Sequence, residues 1–298
     1  MDLLTFINLH LIPGLVLGSI YAMGAIGVSM LFGILRFAHF AHGDIATFGG
    51  FIALTAVWTL GLSAIAALPL AMAGAALIAV VLDRLFYKPF RNAPSIVLVM
   101  ASFGVALIVR SSIQLLWGAE SVSYQSGIQR PILLLDMFRI APRHITIIVC
   151  AGVLIMTVHL FLTYTRLGKA MRAMSDDPAL ARACGIDTER VIRFTWAIGA
   201  ALAAAAGVFA GMDVHLHPST GWDMMLPVFG AAILGGIGRP YGAIAGGLVM
   251  GIIEELATAP LFFGHSLLPP SYKAGVAFAV LVLVLLVRPT GIFRGKVL

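Results

Sequence analysis

Few side chains in this sequence could do chemistry. The stretch "LRFAHFAHGDIATFGG", Leu35 to Gly50, brings His39, His42 and Asp44 together. Imidazole and carboxylate are zinc ligands, and histidines three apart can share a helix face, but no third histidine or cysteine stands nearby. The better reading of these residues is a helix start, with Gly43 at the break and Asp44 near the positive end of the helix. Glu254 and Glu255 lie late in an apolar run, where carboxyl groups serve a proton relay or anchor at an interface. Arg110 stands inside another apolar run, where it snorkels or packs against a polar neighbour such as Gln114, one turn on. Serine, histidine and aspartate residues form no nucleophile constellation, which leaves an intramembrane hydrolase little support. A G-x-x-x-x-G-K-[ST] phosphate loop is also missing: "TYTRLGKA" has the Gly-Lys without the upstream glycine or the hydroxyl.

The elements that must hold these groups follow from composition. Of 298 residues, 60% are hydrophobic and only 11% are charged. A soluble domain is about a quarter charged, so most of this surface has to meet lipid. Alternation of polar and apolar residues, the mark of a membrane β-barrel, is absent. Net charge is +6, carried in short loops between apolar runs. That is the positive-inside pattern and not a nucleic-acid footprint. Cys150 lies in an apolar run and Cys184 in a basic loop, so a disulfide is not expected. The N-terminus "MDLLTFINLH" lacks the basic region of a cleaved signal peptide.

A helix crosses the hydrocarbon core with about 20 apolar residues. The sequence predicts spans near 12–33, 43–61, 63–83, 95–117, 144–164, 190–212, 222–238, 241–258 and 272–288. The fold class is an all-α polytopic bundle with about 8–10 crossings, as one transmembrane domain over residues 1–298. Arg84, Lys88 and Arg91 share one loop, Arg166, Lys169, Arg172, Arg182 and Arg190 another, and Arg288, Arg294 and Lys296 a tail. Placing all three in the cytosol puts the N-terminus outside. Region 222–258 must then cross twice, and "GGIGRPYG" becomes a hairpin turn with Arg239 on the cytosolic side. Glycine supplies unusual backbone angles there, and Pro240 starts the next helix. Gly238, Gly242 and Gly246 recur every fourth residue, as do Gly199, Ala203, Gly207 and Gly211, a spacing that lets helix backbones approach closely.

The cytosolic loop, about 165–190, contains "LGKAMRAMSDDPALARACGIDTERV". Asp176 or Asp177 caps a short helix with Pro178 in its first turn, and Gly185 stops it. Asp187 caps the next span. Ala179, Leu180 and Ala183 give the short helix a small apolar face suited to docking a cytosolic partner. Asp177, Pro178, Leu180, Ala183 and Gly185 are the candidate coupling residues. If ATP drives the protein, another chain must bind it.

The motifs "GSIYAMGAIGVSMLFGI", "FAHFAHGDIATFGG", "GKAMRAMSDDPALARACGIDTERV" and "AAILGGIGRPYGAIAGGLVMGIIEE" occur in that order. Together, over roughly Leu15 to Phe293, they resemble the LivH-type permeases of branched-chain amino acid ABC importers. The resemblance implies no enzymatic activity in this chain and no cofactor of its own. It implies a partner permease of the LivM type, two cytosolic ATPases that bind ATP and Mg, and a periplasmic binding protein, in the bacterial inner membrane. Related permeases carry urea, short amides or other amino acids. A self-sufficient proton-coupled carrier using Asp44, Glu254 or Glu255 is the competing class. The sequence departs from the family at His39, where asparagine is usual, and at Arg239–Pro240, in a turn often made of small residues. A largely apolar conduit is expected, with Tyr21, Met23, Asp44 and Phe48 as lining candidates and Gly207, Gly242 and Gly246 as packing positions. The parity argument is open to test: a cysteine placed at position 239 should react with impermeant reagents from the cytosolic face only. Labelling from the periplasm would remove the two-crossing reading.

Overall fold

In a computed structural model of the chain, residues 3–124, 132–134, 138–259, 269, 272–288 and 290–293 are described. The tail residues Arg294 and Lys296 of the topology argument lie outside them. The helices are α1 (Leu3–Phe6), α2 (Ile12–Leu35), α3 (Ala41–Leu60), α4 (Ala64–Leu82), α5 (Ser95–Trp117) and α6 (Pro142–Tyr164). After these come α7 (Arg166–Asp176), α8 (Pro178–Ala183), α9 (Thr188–Asp213), α10 (Thr220–Gly235), α11 (Pro240–Ala257) and α12 (Lys273–Val287). A two-stranded antiparallel ladder, Ile132–Leu134 with Phe138–Ile140, lies between α5 and α6. Among the described residues, 6 helices are long and apolar enough to cross a membrane. The expected spans fall on helices throughout, each boundary within a few residues. The hairpin helices α10 and α11, of 16 and 18 residues, are short for the ~30 Å core.

Helix α2 forms the axis. Its apolar window is 89% buried inside the chain, against 17% for α6. A helix hydrophobic all round is a buried one, and an apolar helix that stays uncovered faces lipid. Against α2 lie α9, α10 and above all α11. The α2–α11 contact is backbone on backbone: a Cβ added at Gly251 would fall 2.1 Å from the Gly18 nitrogen. The rows of small residues act the same way elsewhere. A Cβ on Gly207 would meet the Ala46 carbonyl oxygen at 1.9 Å, one on Gly246 that of Ala231 at 2.0 Å, and one on Gly242 that of Gly235 at 2.1 Å.

Local signals set the helix ends. Ser63 caps α4, accepting from the Ala66 nitrogen at 3.2 Å, directly after Gly61 ends α3 with φ +64°. The turn between α10 and α11 uses Gly236 at φ +102° and Gly238 at +81°, and Pro240 opens α11. It is the hairpin turn that its glycines predict. The chain's tail closes over it: the Ile292 nitrogen donates to the Leu234 carbonyl at 2.9 Å.

Glycine substitutions should therefore split by contact. Gly207→Ala pushes a methyl into fixed backbone and should lower stability by about 1–3 kcal/mol, as overpacking does. Gly104→Ala, with nothing within 4 Å of its new Cβ, should be neutral or slightly stabilising, because alanine is the better helix former. Thermal melts of the detergent-purified chain decide it: equal shifts for the two variants would mean that α3 and α9 do not touch at Gly207.

Candidate functional site: a buried ion pair, an apolar groove and a capped connecting helix

Asp44 sits in the first turn of α3, with its side chain buried. Arg110 reaches it from α5, donating from Nε to Oδ1 at 2.8 Å and from Nη2 to Oδ2 at 3.2 Å. Both carboxylate oxygens are thus engaged by one edge of the guanidinium, the two-point geometry that favours arginine over lysine. Arg110 does not snorkel, nor is its polar partner Gln114. An unpaired cation among apolar helices is costly, and the α3–α5 packing brings it a carboxylate that sequence spacing could not reveal. The Arg110 guanidinium also lies over the Trp222 ring, 4.9 Å from its centroid.

The two histidines go elsewhere. His39 precedes α3, its Nε2 2.9 Å from the Tyr87 hydroxyl and its ring edge-on to Trp196. His42, within α3, has its Nε2 3.2 Å from the Gly24 carbonyl oxygen of α2. The described residues contain no group of three or more His, Cys, Asp or Glu side chains able to hold a metal. Gly43 is inside α3 and is not the break before it; a Cβ there would strike the Gly221 carbonyl at 2.3 Å, so it serves the crossing of α3 with α10.

Glu254 does not lie at a watery interface but is buried against Tyr21, whose hydroxyl donates to Oε2 at 2.8 Å. Glu255 pairs with Lys273 at the start of α12. Tyr21 and Met23 are packed in the core, while Phe48 is half-buried and edge-on to Trp117. Near the Asp44–Arg110 pair opens an apolar groove of about 470 Å³, walled by Phe40, Trp222, Met225, Phe229, Ile237 and Leu281. The aromatic members had no periodic signal to mark them, since every span here is apolar.

At one end of the bundle, α7 and α8 join α6 to α9. Asp177 is the cap, accepting from the nitrogens of Ala179 at 2.8 Å and Leu180 at 3.0 Å. Those donors hold its carboxyl below the usual range, so the cap is present at neutral pH and is lost only as pH falls through that lowered value. The α8 C-terminus closes with Gly185 donating to the Arg182 carbonyl and Ile186 to that of Ala181, Gly185 taking φ +82°. Asp187 caps α9 through the Arg190 nitrogen. Ala181 turns inward; Ala179, Leu180 and Ala183 are exposed, Leu180 to 61%. Helix α7 rests against α2 and the α10–α11 turn: Met171, Arg172, Ser175, Gly238 and Tyr241 share one small cavity with Gly33.

The model of the family described as "Branched-chain amino acid transport system / permease component" matches residues 11–285. The chain belongs to that permease family. It is 34% identical over 292 residues to the high-affinity branched-chain amino acid transport system permease protein LivH of Escherichia coli K12, covering 94% of this chain and 92% of that one. To the corresponding permease protein BraD of Pseudomonas aeruginosa it is 32% identical over 296 residues, covering 95% and 94%. The fold is similar to a chain of an inward-facing ABC transporter assigned to the metal-chelate type, with a TM-score of 0.52, 14% identity and coverage of 95% and 88%. The permease is thus a multi-pass membrane protein.

A second charged cluster ties this permease's α4–α5 connection to α9. Arg91 donates to Asp83 and to Glu189, both at 2.5 Å, and Lys88 reaches Glu189 at 3.1 Å. Asp83 is buried, while Lys88 and Glu189 are open to solvent. Removing Arg91 leaves a buried carboxylate without its cation, so Arg91→Ala should cost about 3–5 kcal/mol. Lys88→Ala should cost about 1 kcal/mol or less. Denaturation midpoints in one detergent compare them directly, and matching midpoints would mean that Asp83 is not held by Arg91.

Proposed function

We propose that this chain is the LivH-type subunit of an ATP-driven importer, passing branched-chain amino acids across the bacterial inner membrane. A periplasmic binding protein delivers the substrate. A second, LivM-type permease completes the conduit, and two cytosolic ATPases bind ATP and Mg. This chain supplies no catalytic group and no cofactor site. The substrate class is supported by the names of LivH and BraD, each matched over almost its whole length.

The observation that carries the reading is α8. An exposed leucine on a six-residue helix that is hydrogen-bonded at both ends is poorly explained by a bare connector. Order of that kind suits a surface that must hold its shape against another protein. Force applied to α8 passes into α7, then to α2 and the glycine turn between α10 and α11. Those elements wall the apolar groove, so movement at α8 reaches the groove through packed contacts. In this reading the groove faces the partner permease and forms part of the conduit. The proton-carrier alternative is weakened because two of its three carboxylates are held by cations, Asp44 by Arg110 and Glu255 by Lys273.

Leu180→Asp puts a charge on the docking face without touching the caps. Uptake by the reconstituted importer should fall about tenfold or more, with ATP hydrolysis no longer stimulated by the loaded binding protein, since one misplaced interfacial charge costs at least ~1.4 kcal/mol. Membrane insertion should be normal. Wild-type uptake by this variant would take α8 out of the coupling path.

A further inference from the structure

We infer that Asp44 and Arg110 form a transit site for the charged end of the amino acid, with the neighbouring apolar groove receiving its side chain. The inference rests on the proposed substrate class. Every α-amino acid carries an ammonium and a carboxylate whatever its side chain. In a dehydrated passage each must find a partner or a large desolvation cost remains. A complementary pair already buried in the bundle supplies both partners without adding net charge to the site.

Three features mark this pair as more than a strut between α3 and α5. The first is an open edge. Asp44 is 1% exposed in its side chain, but Arg110 is 20% exposed. Its bonds to Asp44 use Nε and Nη2, leaving Nη1 outside the pair. A guanidinium has five N–H donors, so a second carboxylate can be accepted beside the first. The second feature is the shared wall. Trp222 lies under the Arg110 guanidinium and also lines the groove. Phe103 stacks on Phe40 at 4.3 Å and meets Trp222 edge-on, so the aromatic floor runs continuously from the cation to the groove. A carboxylate bound to Nη1 would leave its own side chain beside that floor. The third feature is the chemistry of the groove. Its volume of about 470 Å³ is walled by apolar and aromatic side chains, which suits a branched aliphatic group and offers nothing to a polar one.

The exchange is balanced. The substrate carboxylate takes the open edge of Arg110 and draws the guanidinium from Asp44; the freed carboxylate then faces the ammonium. One internal ion pair is replaced by two to the substrate, and on release the internal pair reforms. Because the internal pair competes, binding is weak, as a conduit needs if substrate is to leave as readily as it enters. Neutral amides or urea would lack the carboxylate that engages Arg110.

The test uses the assembled complex of both permeases and both ATPases in lipid nanodiscs and proteoliposomes, with its binding protein. The probe is a leucine analogue carrying a diazirine on its side chain. In the unmodified complex, adducts should map to Trp222, Met225 or Phe229. Arg110→Gln should cut adduct yield and leucine uptake about tenfold or more, the weight of one charge-assisted hydrogen bond. The double change Asp44→Asn with Arg110→Gln restores a neutral hydrogen-bonded pair. A strut would recover with it, whereas a zwitterion site would not. Full recovery of uptake in the double variant overturns the inference. Adducts confined to residues away from the groove in the unmodified complex overturn it as well, however the variants fold. No uptake of any branched-chain amino acid by the unmodified complex would instead sink the proposed function itself.

Discussion

Inside a bilayer no hydrophobic force presses one apolar helix on another, and contact must come from surfaces that fit. The bundle meets this constraint at α2, where glycines on both sides let α11 lie against it with backbone atoms touching. The other helices take their places from that contact. Helix α9 crosses α3 at Gly207, α10 crosses α3 at Gly43 and Gly221, and α10 folds back on α11 at Gly235 and Gly242. Close approach of this kind has two states, touching and not touching, with little room between. A core so built shifts as blocks and does not deform smoothly.

Polar groups are placed within these blocks in pairs that join different helices. Asp44 and Arg110 join α3 to α5, Tyr21 and Glu254 join α2 to α11, and Arg91 links Asp83 to the start of α9. Each pair is costly to separate and specific about its partner, so it fixes which helices meet and at what height. The Asp44–Arg110 pair also has an open edge beside the groove. In the transit site we infer, the chemistry that pins two helices also meets the ligand.

Much of this architecture was legible in the sequence. Apolar runs of membrane length located the helices, and turn chemistry located their ends: Asp177, Pro178 and Gly185 announce α8 down to its capping bonds. The four-residue glycine spacing announced close packing at Gly207, Gly242 and Gly246. What stayed hidden was which spans face each other. Arg110 and Asp44 are 66 residues apart, and no local pattern links them. The partners of the two histidines were hidden in the same way: the fold gives His39 to Tyr87 and His42 to the Gly24 carbonyl. Trp222 carried no signal at all, because an aromatic residue in an apolar span looks the same whether it faces lipid, core or groove.

The α2–α11 contact also dictates a biography for each new molecule. Helix α2 is made first among the long spans, but the surface it needs arrives late: the hydroxyl of Tyr21 waits for a carboxylate 233 residues further on. The hairpin that brings this partner is itself capped by Ile292, near the end of the chain. Until α11 is made, therefore, the future axis of the bundle sits in the membrane with its glycine face bare. Contacts so distant in sequence form slowly and leave unfinished chains open to capture by proteases or chaperones. A chain cut before α11 would hold an inserted α2 without the surface it packs on.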